Sequence, residues 1–149
     1  MGIIFTHVTD AALDRDAHLD AVASPHAGAV VAFFGVIRDH DPEASGEVTA
    51  IDYTFHPDAA TMLRDMVSRV LSESDPDGDA LVAVSHRVGR LEVGEIALAC
   101  CVSTSHRRAA FELCDRLVET IKAELPIWKQ QFEVDGGQTW SRLWAEGPA

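Results

Sequence analysis

The order of its predicted elements places this sequence in the α+β class. Predicted strands and helices are mixed along the chain, without the regular strand–helix–strand repeat of a parallel α/β sheet. Long segments with apolar residues three and four positions apart predict the helices, and shorter alternating or continuous apolar segments predict the strands. The 149 residues suit one domain spanning residues 1–149. A domain of that length can form a hydrophobic core without disulfides or metal ions.

The first part of the chain predicts a helix between two strands. Residues 2–8 are expected to form a short strand, and Thr9 or Asp10 is expected to cap a helix that continues to about Ala23. Residues 28–38 form a continuous apolar run rich in valine and phenylalanine, which is typical of a buried strand. Arg38 would then emerge where that strand ends, either as part of a site or as an ordinary solvated strand end.

The middle of the chain predicts one helix among three strands. The expected elements are a loop at residues 39–46, strands at 47–55, 80–88 and 95–103, and a helix from about 57 to 71. The strand at 47–55 should be half buried, because Ile51, Tyr53 and Phe55 alternate on one face. Gly89 and Gly94 are expected to bracket a turn, and His86, Arg87 and Arg90 beside them are interpreted first as turn residues.

The last part of the chain predicts a long helix followed by a hairpin. The helix is expected to span about residues 105–124 and to end before Pro126. Its buried stripe is expected to contain Ala110, Cys114, Leu117 and Ile121. Residues 127–134 and 140–143 are expected to pair around Asp135, Gly136 and Gly137.

Charge and cysteine usage exclude several classes of function. The formal net charge of −12 argues against nucleic-acid binding, so an anion site would have to be built locally from a few placed cations. Three cysteines without C-x-x-C spacing give neither a disulfide framework nor a zinc signature, which favours a reduced, cytoplasmic compartment. No signal peptide is expected at the N-terminus, and the longest apolar run, residues 27–37, is too short to span a membrane.

Two cationic groups on the last helix are candidates for chemistry. At its start, His106, Arg107 and Arg108 would combine with free backbone N–H groups to hold a phosphate, although Ser103 to Ser105 could be simple caps before solvated arginines. Near its end stands Lys122, and Lys129 follows seven residues later. These are the only lysines, against ten arginines, and lysine alone of the two can lose a proton. The alternative is that Lys122 merely stabilises the helix dipole.

The length of the last helix limits how its two cationic groups can act together. His106 and Lys122 are sixteen residues apart, or about 24 Å along a helix, so one small molecule cannot touch both. They belong to unrelated sites, or a two-fold dimer brings unlike ends together.

Cys100 and Cys101 are neighbours in a predicted strand and should therefore point to opposite faces as small buried hydrophobes.

Five short segments in register resemble the catalytic subunit family of molybdopterin synthases. They are F-G-V-I-R at residues 34–38, H-R-V-G-R-L-E-V-G-E at 86–95, H-R-R-A-A-F at 106–111, I-K at 121–122 and P-I-W-K at 126–129. The resemblance implies an α/β-hammerhead-like fold with a mixed or antiparallel sheet and an added small β-subdomain. It also implies a homodimer that binds two small ubiquitin-like carriers, giving a heterotetramer.

The activity implied by the resemblance is sulfur transfer. The carrier's Gly-Gly tail would end in a thiocarboxylate that donates sulfur to cyclic pyranopterin monophosphate (precursor Z), and two rounds would make the dithiolene of molybdopterin. Lys122 and Lys129 would then be catalytic. Apart from the resemblance, we hypothesise that Lys122 is the proton shuttle, because a lysine placed among other cations can have a lowered pKa. Arg38, His106 and Arg107 would bind the pterin phosphate or the carrier tail, the latter two from the other subunit. Neither a cofactor nor a metal is expected.

Four positions depart from the resembled pattern. Thr54 and His56 replace an acidic and an aromatic residue, and Gln130 and Gln131 replace a basic residue and a glutamate. A non-catalytic phosphate-metabolite-binding or adaptor domain is the main alternative function, but loss of a lysine would favour it and both lysines are present. A metal-dependent hydrolase finds no support in the spacing of the seven histidines.

Overall fold

The fold is α+β and contains one mixed and one antiparallel sheet, as predicted. The computed structural model describes residues 2–41, 44, 46–134 and 136–142. The strands are β1 (Gly2–Thr9), β2 (Ala29–Val36), β3 (Val48–Phe55), β4 (Leu81–Arg87), β5 (Gly89–Glu92), β6 (Ile96–Thr104), β7 (Ile127–Glu133) and β8 (Gln138–Arg142). The helices are α1 (Arg15–Ala21), α2 (Ala59–Ser74) and α3 (Arg107–Glu124).

The first sheet has the strand order β1-β4-β6-β2. Strands β1 and β4 are parallel, whereas β6 runs antiparallel to both β4 and β2. Helices α2 and α3 pack with the sheet's Cys100 face in the main core, and α1 lies over the opposite, Cys101 face. The two cysteines therefore lie on opposite faces, as predicted from strand geometry.

The second sheet is antiparallel, with the order β5-β3-β7-β8. Strand β7 pairs with β3 on one side and with β8 on the other, which confirms the predicted closing hairpin. Asp135 at its turn and Leu143 at its end lie outside the described residues. The register of β3 and β7 sets Tyr53 opposite Lys129 and Ile51 opposite Gln131. Since residues two apart on a strand share a face, Lys129 and Gln131 point the same way.

The N-terminal elements differ from their predicted bounds for local reasons. Helix α1 begins at Arg15 with Asp14 as its cap, because β1 stays paired with β4 as far as Thr9. Strand β2 is only half buried because it lies at the edge of its sheet, and Val30 and Val36 are about half exposed.

Other predicted boundaries also shift. Helix α2 begins at Ala59 rather than Pro57 and continues to Ser74, and α3 begins at Arg107 with His106 as its cap residue. The predicted 89–94 turn contains a strand, β5, which pairs with β3. Gly89, its first residue, and Gly94, which follows it, have the positive φ angles that glycine adopts readily. Phe55 is half exposed at the end of β3, unlike Ile51 and Tyr53.

The core holds the elements that position the candidate site. The predicted stripe of α3 is confirmed as buried at Ala110, Cys114, Leu117 and Ile121. Helix α3 ends at Glu124, three residues after Ile121. Leu125 and Ile127, where the chain enters β7, are fully buried. Within the described part of the chain, no helix is long and apolar enough to cross a membrane.

Candidate functional site

A cavity of about 240 Å³ lies where the end of β2, the last turn of α3 and the second sheet meet. Residues of β3, β4 and β6 complete its wall. Its lining consists of Gly35, Val36, Ile37, Arg38, His40, Asp41, Ile51, Tyr53, His86, Ala97, Leu98, Ile121, Lys122, Lys129 and Gln131. The wall therefore combines an apolar sheet surface with cations and several polar side chains.

Three of the five residues singled out in the sequence line this cavity together. Arg38 follows β2, Lys122 occupies the last turn of α3, and Lys129 lies on β7. Pro126 lacks an N–H and cannot continue the helix, so the chain turns there and enters β7. That reversal places the two lysines on one cavity although they belong to different elements.

The two lysines have different surroundings. Lys129 Nζ lies 3.1 Å from Asp41 Oδ2, and the two side chains are only 19% and 13% exposed. Lys122 is exposed, and none of the ion pairs among the described residues includes it. Lys129 is therefore partly neutralised and held in place, whereas the ammonium of Lys122 is available to an incoming anion.

His86 and Tyr53 line the same cavity and were not predicted as site residues. Their rings meet edge to face, with centroids 5.1 Å apart. His86 Nδ1 lies 2.7 Å from the carbonyl oxygen of Arg87, which can only accept, so Nδ1 carries the proton and Nε2 is an acceptor. Burial, with a smaller contribution from Lys122, lowers the pKa of His86 to about 4. The imidazole is therefore neutral at physiological pH.

Tyr53 is kept protonated by the same surroundings. Burial raises its pKa to about 12, and the nearby carboxylate of Asp41 adds to the effect. The sequence indicated Tyr53 only as a core residue of an alternating strand. His86 opens one of the resembled segments, but its position beside a turn favoured a structural role over a functional one. Both reach the cavity through strand pairings that local sequence does not reveal.

Gln131 is the most unusual polar group in the cavity wall. Its side chain is fully buried, and neither amide atom has a hydrogen-bond partner among the described residues. An unpaired buried polar group of this kind costs roughly 1–3 kcal/mol. Its only sequence signal was that a glutamine replaces the glutamate of the resembled pattern.

His106 and Arg107 lie elsewhere, at the start of α3. Both are exposed, and neither lines the cavity. Ser105 beside them donates its backbone N–H and its hydroxyl to Asp79, and the pKa of that carboxyl is lowered chiefly by the hydroxyl hydrogen bond. Within one chain the structure therefore brings Arg38, Lys122 and Lys129 together and keeps His106 and Arg107 apart from them.

The cavity suits an anionic ligand that also carries polar atoms. Three cations face a space that is closed on one side by apolar residues, where electrostatic attraction is stronger than in bulk water. Neutral His86 supplies a hydrogen-bond acceptor, and protonated Tyr53 supplies a hydroxyl. Cations placed beside neutral polar groups can hold negatively charged reactants close together while a bond between them forms.

Comparison with known proteins assigns the chain to a family. The family model described as MoaE protein matches residues 8–124. A relative from Mycobacterium tuberculosis, named molybdopterin synthase catalytic subunit 1, is 34% identical over 134 residues, covering 90% of this chain and 88% of that protein. The chain belongs to the MoaE protein family. The family match includes Arg38 and Lys122 and ends before Lys129 and Gln131.

Two solved structures share the fold of this chain. Molybdopterin synthase from Staphylococcus aureus has a TM-score of 0.79 at 24% identity, covering 90% of this chain and 94% of that chain. A protein–protein complex of subunits 1 and 2 of molybdopterin-converting factor from Helicobacter pylori has a TM-score of 0.71 at 18% identity, covering 91% and 89%. Both solved structures therefore share the α+β fold of this MoaE family chain over most of its length.

Proposed function

We propose that this chain is the catalytic subunit of molybdopterin synthase. It would transfer sulfur from the C-terminal thiocarboxylate of a small ubiquitin-like carrier to cyclic pyranopterin monophosphate, forming the dithiolene of molybdopterin. Family membership supports the activity, and the relative from Mycobacterium tuberculosis bears that name. The observation that carries the proposal is the convergence of Arg38, Lys122 and Lys129 on one cavity.

The proposed chemistry needs mainly placement and charge control. In each round a C–S bond forms at the pterin as a C–O bond at the same carbon breaks, and that oxygen leaves as water or stays on the opened cyclic phosphate. The C–S bond of the carrier breaks by hydrolysis, so the carrier leaves as a carboxylate whose new oxygen derives from water. The thiocarboxylate and the phosphate are both anions, so Arg38, Lys122 and Lys129 would offset their repulsion. We assign proton transfer to Lys122, because Lys129 is already engaged by Asp41.

The proposal includes two kinds of partner. The Helicobacter pylori structure is a complex of two different subunits, which supports a small carrier bound to this chain. A second copy of the chain would supply His106 and Arg107, because they lie at the opposite end of α3 from Lys122. Phe111, four residues after Arg107 on the same face of α3, is 62% exposed and lies on the surface that such a contact would cover.

The extent and location of the protein also belong to the proposal. We treat residues 1–149 as one catalytic domain that acts in the cytoplasm. The three cysteines are free thiols in the structure, which suits a reducing compartment.

Reconstitution tests the proposal directly. The chain would be mixed with thiocarboxylated carrier and precursor Z, and molybdopterin would be measured after oxidation to a fluorescent derivative. A carrier ending in an ordinary carboxylate is the matched control and should give no product. If the chain binds both reactants and still makes no molybdopterin, it is a binding or adaptor domain rather than the catalytic subunit.

A further inference from the structure

Gln131 is a fully buried glutamine in the cavity wall, and its carboxamide has no hydrogen-bond partner among the described residues. The side chain lines the same wall as Lys129. Strand β7 fixes its position, since it is paired with β3 and β8 on both sides. Buried amides in folded proteins are nearly always hydrogen-bonded, so a partner beyond the described residues is indicated.

The neighbouring glutamine shows that the unpaired state is specific to this position. Gln130 points to the other face of β7, where its amide nitrogen donates to the side-chain oxygen of Gln138. The two adjacent glutamines therefore differ in whether their amides have a hydrogen-bond partner among the described residues. One amide is satisfied within the sheet, and the other faces a cavity lined by cations.

We propose that the Gln131 carboxamide pairs with the pyrimidine edge of a pterin bound in this cavity. A carboxamide offers one acceptor and two N–H donors side by side, and it complements a ring edge that presents an N–H beside a carbonyl or ring nitrogen. The 2-amino-4-oxopyrimidine ring of a pterin has such edges. Gln131 would thereby determine specificity for the ring, while Arg38, Lys122 and Lys129 attract the anionic groups. This inference rests on the proposed function for the identity of the ligand.

Replacing Gln131 by methionine tests the pairing. Methionine has a similar shape and no amide, so Gln131→Met removes both hydrogen bonds without emptying the position. Neopterin monophosphate serves as the probe, with binding followed by its fluorescence. We expect its affinity to fall about tenfold or more, as the loss of two hydrogen bonds in a buried site implies. Gln130→Met, on the opposite face, should leave the affinity unchanged.

The melting temperature of the free protein gives a second test, because a purely structural role for Gln131 predicts that the methionine variant melts at a lower temperature. Since the Gln131 amide has no partner in the part of the chain that the structure describes, Gln131→Met should melt at the same temperature as the wild type or higher. A lower melting temperature together with unchanged pterin affinity would show that the amide serves the fold, and the proposal would be wrong.

The charged variant Gln131→Glu tests whether residue 131 contacts the pyrimidine edge of the ring. Gln131→Glu keeps the acceptor oxygens and loses the donor, so it should favour rings that present two N–H groups on one edge. Pterin presents N3–H beside its 2-amino group, whereas lumazine carries an oxygen in place of that amino group. The ratio of pterin affinity to lumazine affinity should therefore rise in Gln131→Glu. An unchanged ratio would place Gln131 away from the ring and overturn the proposal.

The carrier tail provides the competing source of a polar partner, because its peptide groups also offer N–H and C=O. If Gln131→Met weakens binding of a carrier ending in Gly-Gly and leaves neopterin monophosphate binding unchanged, Gln131 serves the tail and the proposal fails. Failure of the proposed function is distinguishable. A wild-type chain that makes no molybdopterin, yet binds the pterin in a Gln131-dependent way, would refute only the activity.

Discussion

Lys122 and Lys129 reach one cavity from different elements, and their surroundings suggest separate tasks. The ion pair with Asp41 holds Lys129 in a partly buried position, where it can offset negative charge without moving. Lys122 is exposed at the end of α3, beside neutral His86. A lysine that must give and take a proton needs such freedom, whereas a lysine that only supplies charge does not.

Substitution of Lys122 should therefore separate charge from proton transfer. Lys122→Ala should reduce molybdopterin formation to near background, while circular dichroism and the oligomeric state stay as in the wild type. Lys122→Arg restores the positive charge but not a titratable amine, so it should also fail to turn over. Near-normal turnover by the arginine variant would limit Lys122 to an electrostatic role.

The cysteines should be dispensable for sulfur transfer. All three are buried, and none lines the cavity. Burial raises the pKa of Cys101 to about 11, and the pKa of Cys100 is raised by its hydrogen bond with Cys114 and by burial. The same hydrogen bond lowers the pKa of Cys114, but that thiol lies in the core. A folded variant with all three cysteines replaced by alanine should keep its activity, and an inactive one would indicate a persulfide relay.

His86 should remain neutral well below the usual range for histidine. Its pKa falls from 6.5 to about 4 because the ring is buried, so the unfolded chain binds the proton more readily than the folded chain. The contribution of His86 to the free energy of unfolding is therefore fully present above about pH 6.5. It is lost as the pH falls toward 4, and the total loss is up to about 3 kcal/mol. An NMR titration of the His86 ring should give a midpoint near 4, and a midpoint at 6 or above would contradict the buried, neutral state.

At the scale of elements, a single buried hydrogen bond fastens α1 to the first sheet. His18 Nδ1 lies 2.7 Å from the carbonyl oxygen of Asp14 and must donate to it, so Nε2 accepts from the Ser85 hydroxyl at 2.7 Å. Both side chains are nearly fully buried. Among the described residues, the other contacts of the short helix include the small apolar cluster around Val22 and Cys101, the Phe5 ring against His18 and the Arg15 guanidinium over Phe34.

Removing that hydroxyl should destabilise the fold and spare the chemistry. Ser85→Ala leaves a buried imidazole nitrogen without a partner, which should lower the free energy of unfolding by about 1–3 kcal/mol. Ser72→Ala, which removes an exposed hydroxyl from α2, should change it by less than about 0.5 kcal/mol. Urea denaturation of both variants provides the measurement, and equal effects would mean that the His18–Ser85 contact contributes nothing.

The elements themselves were largely predictable, whereas their pairing was not, apart from the closing hairpin. Apolar spacing located α2 and α3, and the clustered turn residues at 135–137 indicated the hairpin. The β2 strand was predicted as buried because an apolar run does not reveal whether a strand lies at an edge. The pairing of β5 with β3 was missed, because four residues between two glycines also fit a turn.

The candidate site shows the same division between local and long-range information. Arg38, Lys122 and Lys129 could be singled out from residue type and position, and the structure brings them to one cavity. Tyr53, His86 and Gln131 reach it through the pairing of β3 with β7 and the packing of the two sheets. Such contacts join residues that are far apart in sequence, so local patterns did not place these three residues at the site.

At the scale of the whole molecule, cations are scarce and unevenly placed. The chain carries 24 acidic residues against 12 lysines and arginines, so its overall field repels anions. Anionic reactants must therefore be held by local clusters, and the two clusters lie at opposite ends of α3. His106 and Arg107 stand about 24 Å along the helix from Lys122, too far for one small ligand to reach both. A two-fold dimer that pairs unlike ends would unite them in one site.

Complementation between two inactive variants tests this shared site. Arg107→Ala and Lys122→Ala homodimers should each be nearly inactive, because every site lacks one essential cation. After co-refolding in equal amounts, random pairing makes half of the dimers mixed, and each mixed dimer has one site with both residues intact. About a quarter of wild-type activity should therefore return. If mass spectrometry shows mixed dimers and no activity returns, His106 and Arg107 do not share a site with Lys122 of the partner chain.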